Sequence, residues 1–219
     1  MKRATVEQRR SEILETTYQV VIERGFAATR VSDVASRLGV STGLIHYHFD
    51  SKELLLAEAL RYAAEQDISR LETELDRART ALAKLDTMFT FDMPEVGEPS
   101  WMLWIDGWGE ALRNPTMRRI SQHLDLAWKD RLAAIIEAGV AAGEFTCADP
   151  DGAAWRLAAL LDGLGVQFTV HEGVLSRSQL LSYVRAAAAL ELGVPESAFK
   201  KSSRRKQASP EEAPAERSE

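Results

Sequence analysis

The chain has 219 residues, with 27 Lys+Arg against 33 Asp+Glu and a formal net charge of −6. That length suffices for the core of one or two domains, and the 45% hydrophobic and 27% charged fractions are those of an ordinary globular protein. A single cysteine, Cys147, excludes an intrachain disulfide framework and any multi-cysteine zinc or iron–sulfur site, and the acidic balance argues against generic coating of nucleic acid.

The first residues, Met1-Lys2-Arg3-Ala4-Thr5, are followed by no apolar stretch of signal-peptide length. No apolar run approaches the roughly 18–20 residues of a membrane span. The expectation is a soluble, cytoplasmic protein with no membrane partner. Charge is uneven along the chain: residues 1–50 hold 7 basic and 6 acidic residues, and the remainder carries the acidic excess. All five tryptophans lie at position 101 or beyond. This pattern allows a small, locally basic head on an acidic body.

Helical periodicity runs through the chain, and no segment alternates as a strand would. Ile13, Thr17, Val20 and Val21 share one face of a first helix, which Gly25 ends. Val31, Val34, Ala35 and Leu38 define a two-turn helix closed by Gly39, and Ser41 caps a third short helix reaching about Phe49. Asp50 or Ser51 starts a fourth, patterned by Leu54, Leu55, Ala59, Tyr62 and Ala63 and continuing to about Arg79. Further helices are predicted over 80–92, 101–113, 115–142, 150–171 and 177–192, with a loop from Met93 to Pro99 marked by Pro94, Gly97 and Pro99. From Pro195 the chain lacks apolar content and is predicted to be disordered, its basic run Lys200–Lys206 being a solvated tail. The fold class is all-α. The domains are a helix-turn-helix head at 1–50, a helical ligand-binding and dimerisation body at 51–194, and a tail at 195–219.

The head has the pattern of a three-helix DNA-reading unit. With Ile45 and Phe49 inward on the third helix, Gly43 and Tyr47 point away from the core, flanked by Leu44 and His46. Such a short, small-residue face suits entry of a helix N-terminus into a major groove. Leu44 is placed for thymine methyls and Thr42 for a base or phosphate. Lys52 suits a phosphate at the next helix start, as Thr29 and Ser32 do at the start of the second helix. With Ser41 and His48, the DNA-facing set is Thr29, Ser32, Ser41, Thr42, Gly43, Leu44, His46, Tyr47, His48 and Lys52.

The stretch from Gly25 to Leu55, GFAATRVSDVASRLGVSTGLIHYHFDSKELL, resembles the DNA-binding head of TetR-family repressors. One departure is His46, where the family usually carries tyrosine. The segments WIDGWGEALRNP (104–115), GVAAGEF (139–145) and LLDGL (160–164) are similar to the subgroup that includes the choline-responsive BetI regulators. This resemblance implies a homodimeric regulator, a repressor, that leaves a pseudo-palindromic double-stranded DNA operator when a small-molecule effector binds. It does not transfer the effector.

Trp101, Trp104, Ile105 and Trp108 form one helical stripe, either ordinary core or the wall of a ligand cavity. On the cavity reading, the lining is Met88, Phe89, Trp101, Trp104, Ile105, Trp108, Leu124, Trp128 and Phe168, with Asp125 and Gln167 as polar groups, and an apolar or aromatic ligand is favoured. Asp106 and Glu110 fall nearly opposite the stripe, so a tryptophan–carboxylate cage for a cation needs carboxylates from other helices. Dimer contacts are predicted on the last two helices, through Ala158, Ala159, Leu161, Gly165 and Ala186–Ala189. No nucleophile elbow, phosphate loop or cysteine–histidine pair is visible. His46 and His48, two apart, do not share a helix face as metal ligands would. The expectation is no enzyme, no cofactor and no metal. The alternative function is a DNA-binding protein whose body binds a protein partner.

Overall fold

A computed structural model describes residues 5–94, 99–171 and 173–199. Among these residues the regular structure is helical, without a strand. The helices are α1 (Val6–Ala28), α2 (Val31–Leu38), α3 (Thr42–His48), α4 (Lys52–Leu75), α5 (Ala81–Asp92), α6 (Ser100–Ala111), α7 (Pro115–Ala141), α8 (Pro150–Val170) and α9 (Arg177–Leu192).

Local chemistry sets most of the boundaries. Thr5, Ser41, Ser51, Thr80, Asn114, Asp149 and Ser176 each accept a hydrogen bond from a first-turn backbone N–H, satisfying donors that lack an intrahelical acceptor. Gly39 and Gly193 close α2 and α9 in the left-handed conformation. Gly25, at φ 78°, breaks α1 and leaves 26–28 as a separate last turn. One boundary differs from expectation: α4 ends at Leu75 rather than near Arg79. The start of α5 is held from a distance, because the Glu144 carboxylate accepts from the N–H groups of Ala81 (3.1 Å) and Leu82 (3.2 Å).

Three apolar clusters organise the molecule. The first, within the head, joins Ile13, Leu14, Val20, Val34, Ala35, Ile45 and Phe49 to Leu55 and Ala59 of α4. The second, at the head–body junction, joins Val21 and Phe26 to Leu56 and Leu60 of α4, Leu103 of α6, and Met117 and Leu124 of α7. The largest fills the body between α5, α7, α8 and α9 and takes in Leu71 of α4. Helix α4 thus runs through all three clusters, from the head to the body.

Two expectations about the body are corrected. Residues 195–199 are not a disordered tail: Ala198 and Phe199 donate to the carbonyls of Pro195 (2.9 Å) and Glu196 (3.2 Å), and the Phe199 ring is fully buried in the body cluster. Residues 200–219, with the basic run, lie outside the described residues. Leu161, Gly165, Ala188 and Ala189 also fail as outward dimer contacts, because all four are buried within their own chain. Ala159 of the predicted set is exposed, and the large outward apolar groups on α8 and α9 are Trp155, Val170, Tyr183 and Leu190.

Candidate functional site

The head presents α3 as an exposed helix on a buried footing. Ile45 and Phe49 are buried while Thr42, Gly43, His46 and Tyr47 are exposed, Tyr47 at 74%. The Tyr47 and His48 rings meet edge to face at 5.1 Å. Leu44 and His48 are half-buried, and Ser41 is exposed with its hydroxyl engaged in capping through Leu44 N at 3.3 Å. Ser32 is exposed on α2. Lys52 is half-buried at the start of α4, its Nζ 3.5 Å from the Ala27 carbonyl. Thr29 is a correction: it is 1% exposed and its hydroxyl donates to the Gly25 carbonyl at 2.7 Å, so it braces the turn and is not available to DNA.

Arg10, which sequence reasoning missed, fixes α3 on its base. Its guanidinium donates to the His48 carbonyl at 2.8 Å and to Glu58 at 3.2 Å, and lies 4.2 Å from the centre of the Phe49 ring. It ties α1, the end of α3 and α4 together.

The body contains a cavity of about 460 Å³. Of the sequence-predicted lining, Trp101, Trp104, Trp108, Leu124, Asp125 and Trp128 border it. The other five do not. Met88 and Phe89 point wholly into the body core, Phe168 packs against that core, Ile105 is half-buried away from the cavity and Gln167 is exposed. For Met88 and Phe89 the physical reason is facing: they lie on the side of α5 turned from the cavity, whereas Thr87, Thr90, Phe91 and Asp92 border it.

The tryptophans form one wall. The Trp101 and Trp108 rings are 6.2 Å apart at 77°, and Trp104 and Trp108 are 6.1 Å apart at 42°. Trp101 is positioned by donation from Nε1 to the Asp92 carbonyl at 2.6 Å, and by Gly165, where a Cβ would stand 2.1 Å from the indole. Trp108 Nε1 donates to Asp125 at 3.3 Å, and the Ser121 hydroxyl bonds the other Asp125 oxygen at 3.3 Å. Opposite, Phe91 and Trp128 lie 6.5 Å apart.

The unexpected part of the lining is acidic. Asp67 and Glu74 come from α4, Asp92 from α5, Asp125 from α7 and Asp162 from α8, against Arg70 and Arg177. Arg70 pairs with Asp67, and Arg177 donates to the Thr90 carbonyl at 2.7 Å. Burial pushes the Asp92 carboxyl up to about 8, with repulsion from Asp162 and Asp67 adding to the rise. Burial, and then the Asp125 charge, bring Asp162 to about 6. Asp67 and Asp125 are raised by burial too, opposed by Arg70 in one case and by Trp108 and Ser121 in the other. Four carboxyls near one cavity therefore resist ionisation, chiefly because burial disfavours their charged form, with repulsion between carboxylates adding to it at Asp92 and Asp162. Sequence reasoning named only Asp125. The available signal for Asp92 and Asp162 was a lone carboxylate inside an apolar helix, in TMFTFDM and LLDGL.

An exposed third helix on a three-helix head, joined to a helical body with a cavity, defines a DNA-binding transcriptional regulator. Residues 13–59 match the family of bacterial regulatory proteins described as tetR family, and residues 78–193 match the C-terminal domain of BetI-type transcriptional repressors. The chain belongs to the TetR family of transcriptional regulators, with a body of the BetI type. It is 31% identical over 166 residues to the HTH-type transcriptional regulator BetI of Paraburkholderia xenovorans strain LB400, covering 72% of this chain and 80% of that one. A transcriptional regulator from Saccharomonospora viridis, solved in complex with choline, is 32% identical, with a TM-score of 0.73 over 82% of this chain and 95% of that one. A TetR-family regulator from a Rhodococcus species is 26% identical, with a TM-score of 0.73 over 85% of this chain and 100% of that one. This membership makes the protein a regulator and not an enzyme. No helix among the described residues is long and apolar enough to cross a membrane.

Proposed function

We propose that this chain acts as a homodimeric repressor that grips a pseudo-palindromic operator and is released by a small organic cation of the quaternary-ammonium class. The observation that carries this reading is the cavity, which combines three neighbouring tryptophans with carboxylates from four helices. Indole faces attract a cation that cannot donate hydrogen bonds, and nearby carboxylates supply its countercharge. The choline bound to the Saccharomonospora relative supports the same class. The apolar or aromatic ligand expected from composition gives way to a cation, because the acidic groups arrive from α4, α5 and α8, outside the tryptophan helix. A cavity of this size favours a small ligand over the alternative of a protein partner on the body. Release requires only that the cation bind more tightly to a conformation whose head spacing does not fit the operator.

The dimer reading rests on α8 and α9, where Trp155, Val170, Tyr183 and Leu190 are large apolar side chains left exposed. Two heads then meet major grooves about one helical turn, or a multiple of it, apart. The experiment is a titration followed by tryptophan emission and operator release. Choline and tetramethylammonium are expected to perturb both, whereas the neutral isostere 3,3-dimethyl-1-butanol is expected to bind at least about tenfold more weakly. Equal binding of the neutral isostere overturns the cation reading.

At the head, Tyr47→Ala and Lys52→Ala are expected to weaken operator binding while leaving the fold intact. Tyr47 is exposed beyond what packing explains, and Lys52 sits at a helix start. Loss of the Lys52 phosphate contact is expected to flatten the salt dependence by about one released counterion. Filter binding or fluorescence anisotropy at two salt concentrations checks both; unchanged affinity in the pair removes these residues from the interface.

A further inference from the structure

Asp106 has no part in the cavity, although it lies on the helix that carries the tryptophans. Its carboxylate reaches out of the body instead, and Oδ2 accepts from the Phe26 N–H at 2.6 Å, across 80 residues of sequence. The surrounding geometry is built for this contact. Gly25 holds φ at 78° and breaks α1 immediately before Phe26, and a Cβ on Gly25 would stand 3.0 Å from Oδ2. Gly107, next along α6, lets the helix lie against the head: a Cβ there would meet Leu60 at 3.3 Å and Phe26 at 3.5 Å. Phe26 itself is buried in the junction cluster between α1, α4 and α6. The turn that Asp106 grips is continuous with the DNA-facing parts, because the Gly25 carbonyl accepts from the Thr29 hydroxyl just ahead of α2 and the Ala27 carbonyl is the acceptor for Lys52.

We infer that Asp106 is a positioning residue, the latch that fixes the orientation of the head on the body and carries displacement of α6 to the DNA-reading helices. One face of α6 bears Trp101, Trp104 and Trp108 on the cavity, and another bears the carboxylate on the head. A shift of the tryptophan wall therefore moves the acceptor of the Phe26 N–H with it. A directional side-chain–backbone bond at this site adds an orientation constraint to the apolar packing of the junction. The effector half of this inference rests on the proposed function; the orientation half does not.

The test uses the full chain in a Cys147→Ser background, with spin labels at Ser36→Cys on α2 and Gln122→Cys on α7, diluted with unlabelled chain. The expected result is one narrow head–body distance in the parent and a broadened distribution in Asp106→Ala. Asp106→Asn keeps an oxygen that accepts from the Phe26 N–H and is expected to restore the narrow distribution, whereas Gly25→Ala is expected to broaden it from the other side of the contact. A head that samples several orientations is binding-competent for only a fraction of the time, so operator affinity falls with that fraction, about tenfold in Asp106→Ala. Choline is then added as the probe. In the parent it is expected to shift the distance and release the operator; in Asp106→Ala it still perturbs tryptophan emission but no longer releases DNA. Failure of choline to bind the parent defeats the ligand reading and leaves the label distances to decide the latch. A distribution and operator affinity in Asp106→Ala equal to the parent's overturn it. Should that variant not fold, the contrast between Asp106→Asn and Gly25→Ala decides in the same way.

Discussion

Ending the chain after residue 194 is expected to lower its melting temperature by on the order of 10 °C, whereas ending it after residue 199 is expected to change it little. The difference is chiefly one side chain, the buried one among residues 195–199. Phe199 is fully buried in the body cluster, with its ring 6.2 Å from that of Phe89, which is itself buried. Removing a buried phenylalanine ring typically costs about 3–5 kcal/mol, the lost transfer energy plus the cavity left behind, and each kcal/mol is worth about 2–4 °C for a chain of this length. Phe199→Ala in the full-length chain is expected to reproduce most of the loss. Calorimetry at one fixed protein concentration is the measurement, because a dimer's melting point depends on concentration. Coincident melting of the 1–194 and 1–199 chains would return these five residues to the tail.

The same residue shows where sequence reading stopped. Most helices of the described residues are legible because they are announced locally, by a capping side chain or a glycine and by a stripe of apolar residues; α6, which has neither cap, is marked by its stripe alone. Ile13, Val20 and Val21 on α1, or Val34 and Ala35 on α2, are buried as their spacing requires. Phe199 has no such periodic neighbours; it stands among polar residues, and only the body surface it inserts into makes it core. The end of α4 was misplaced for a related reason. No glycine or proline lies between Leu75 and Thr80. The local mark of the break is Thr80, which caps α5, and Glu144 adds to it by holding the first N–H groups of α5 from 62 and 63 residues away. Thr29 precedes a helix as a cap or phosphate ligand would, while its hydroxyl serves the turn at Gly25.

The candidate cavity was half legible. The tryptophan stripe identifies its wall, since three indoles at helical spacing face one way. The countercharge could not be placed, because Asp67, Asp92 and Asp162 sit on three helices whose mutual rotation no local pattern records. Met88 and Phe89, expected in the lining, are sent to the core by the rotation of α5.

Replacing Asp92 by asparagine is expected to raise stability at pH 8 and to weaken cation binding, in the same variant. In the folded chain this carboxyl is pushed up to about 8, from an ordinary value of 3.8, chiefly by burial and then by the charges of Asp162 and Asp67. The folded state thus holds a proton that the unfolded chain has already lost between pH 4 and pH 8. Stability therefore falls as pH rises through that window and levels off above about 8, the reverse of a carboxylate in a favourable ion pair. Asparagine cannot ionise and removes the decline. The variant is expected to match the parent near pH 4, to lead it slightly at pH 5 and to exceed it at pH 8 by on the order of 2 kcal/mol, the full shift being discounted for water entering the cavity. A bound cation acts in the opposite sense. It favours the ionised carboxylate, so binding at pH 7 releases a proton and affinity increases with pH up to about 8. Below about 6 the Asp162 carboxyl, itself raised to about 6, makes the dependence steeper. Calorimetric titration with choline in buffers of differing ionisation enthalpy counts the released proton, and thermal melts at pH 5 and pH 8 read the stability. A parent whose choline affinity is flat from pH 6 to 8, together with an Asp92→Asn melting shift equal at both pH values, would show that Asp92 is ionised throughout and that the cavity's acidity is already compensated.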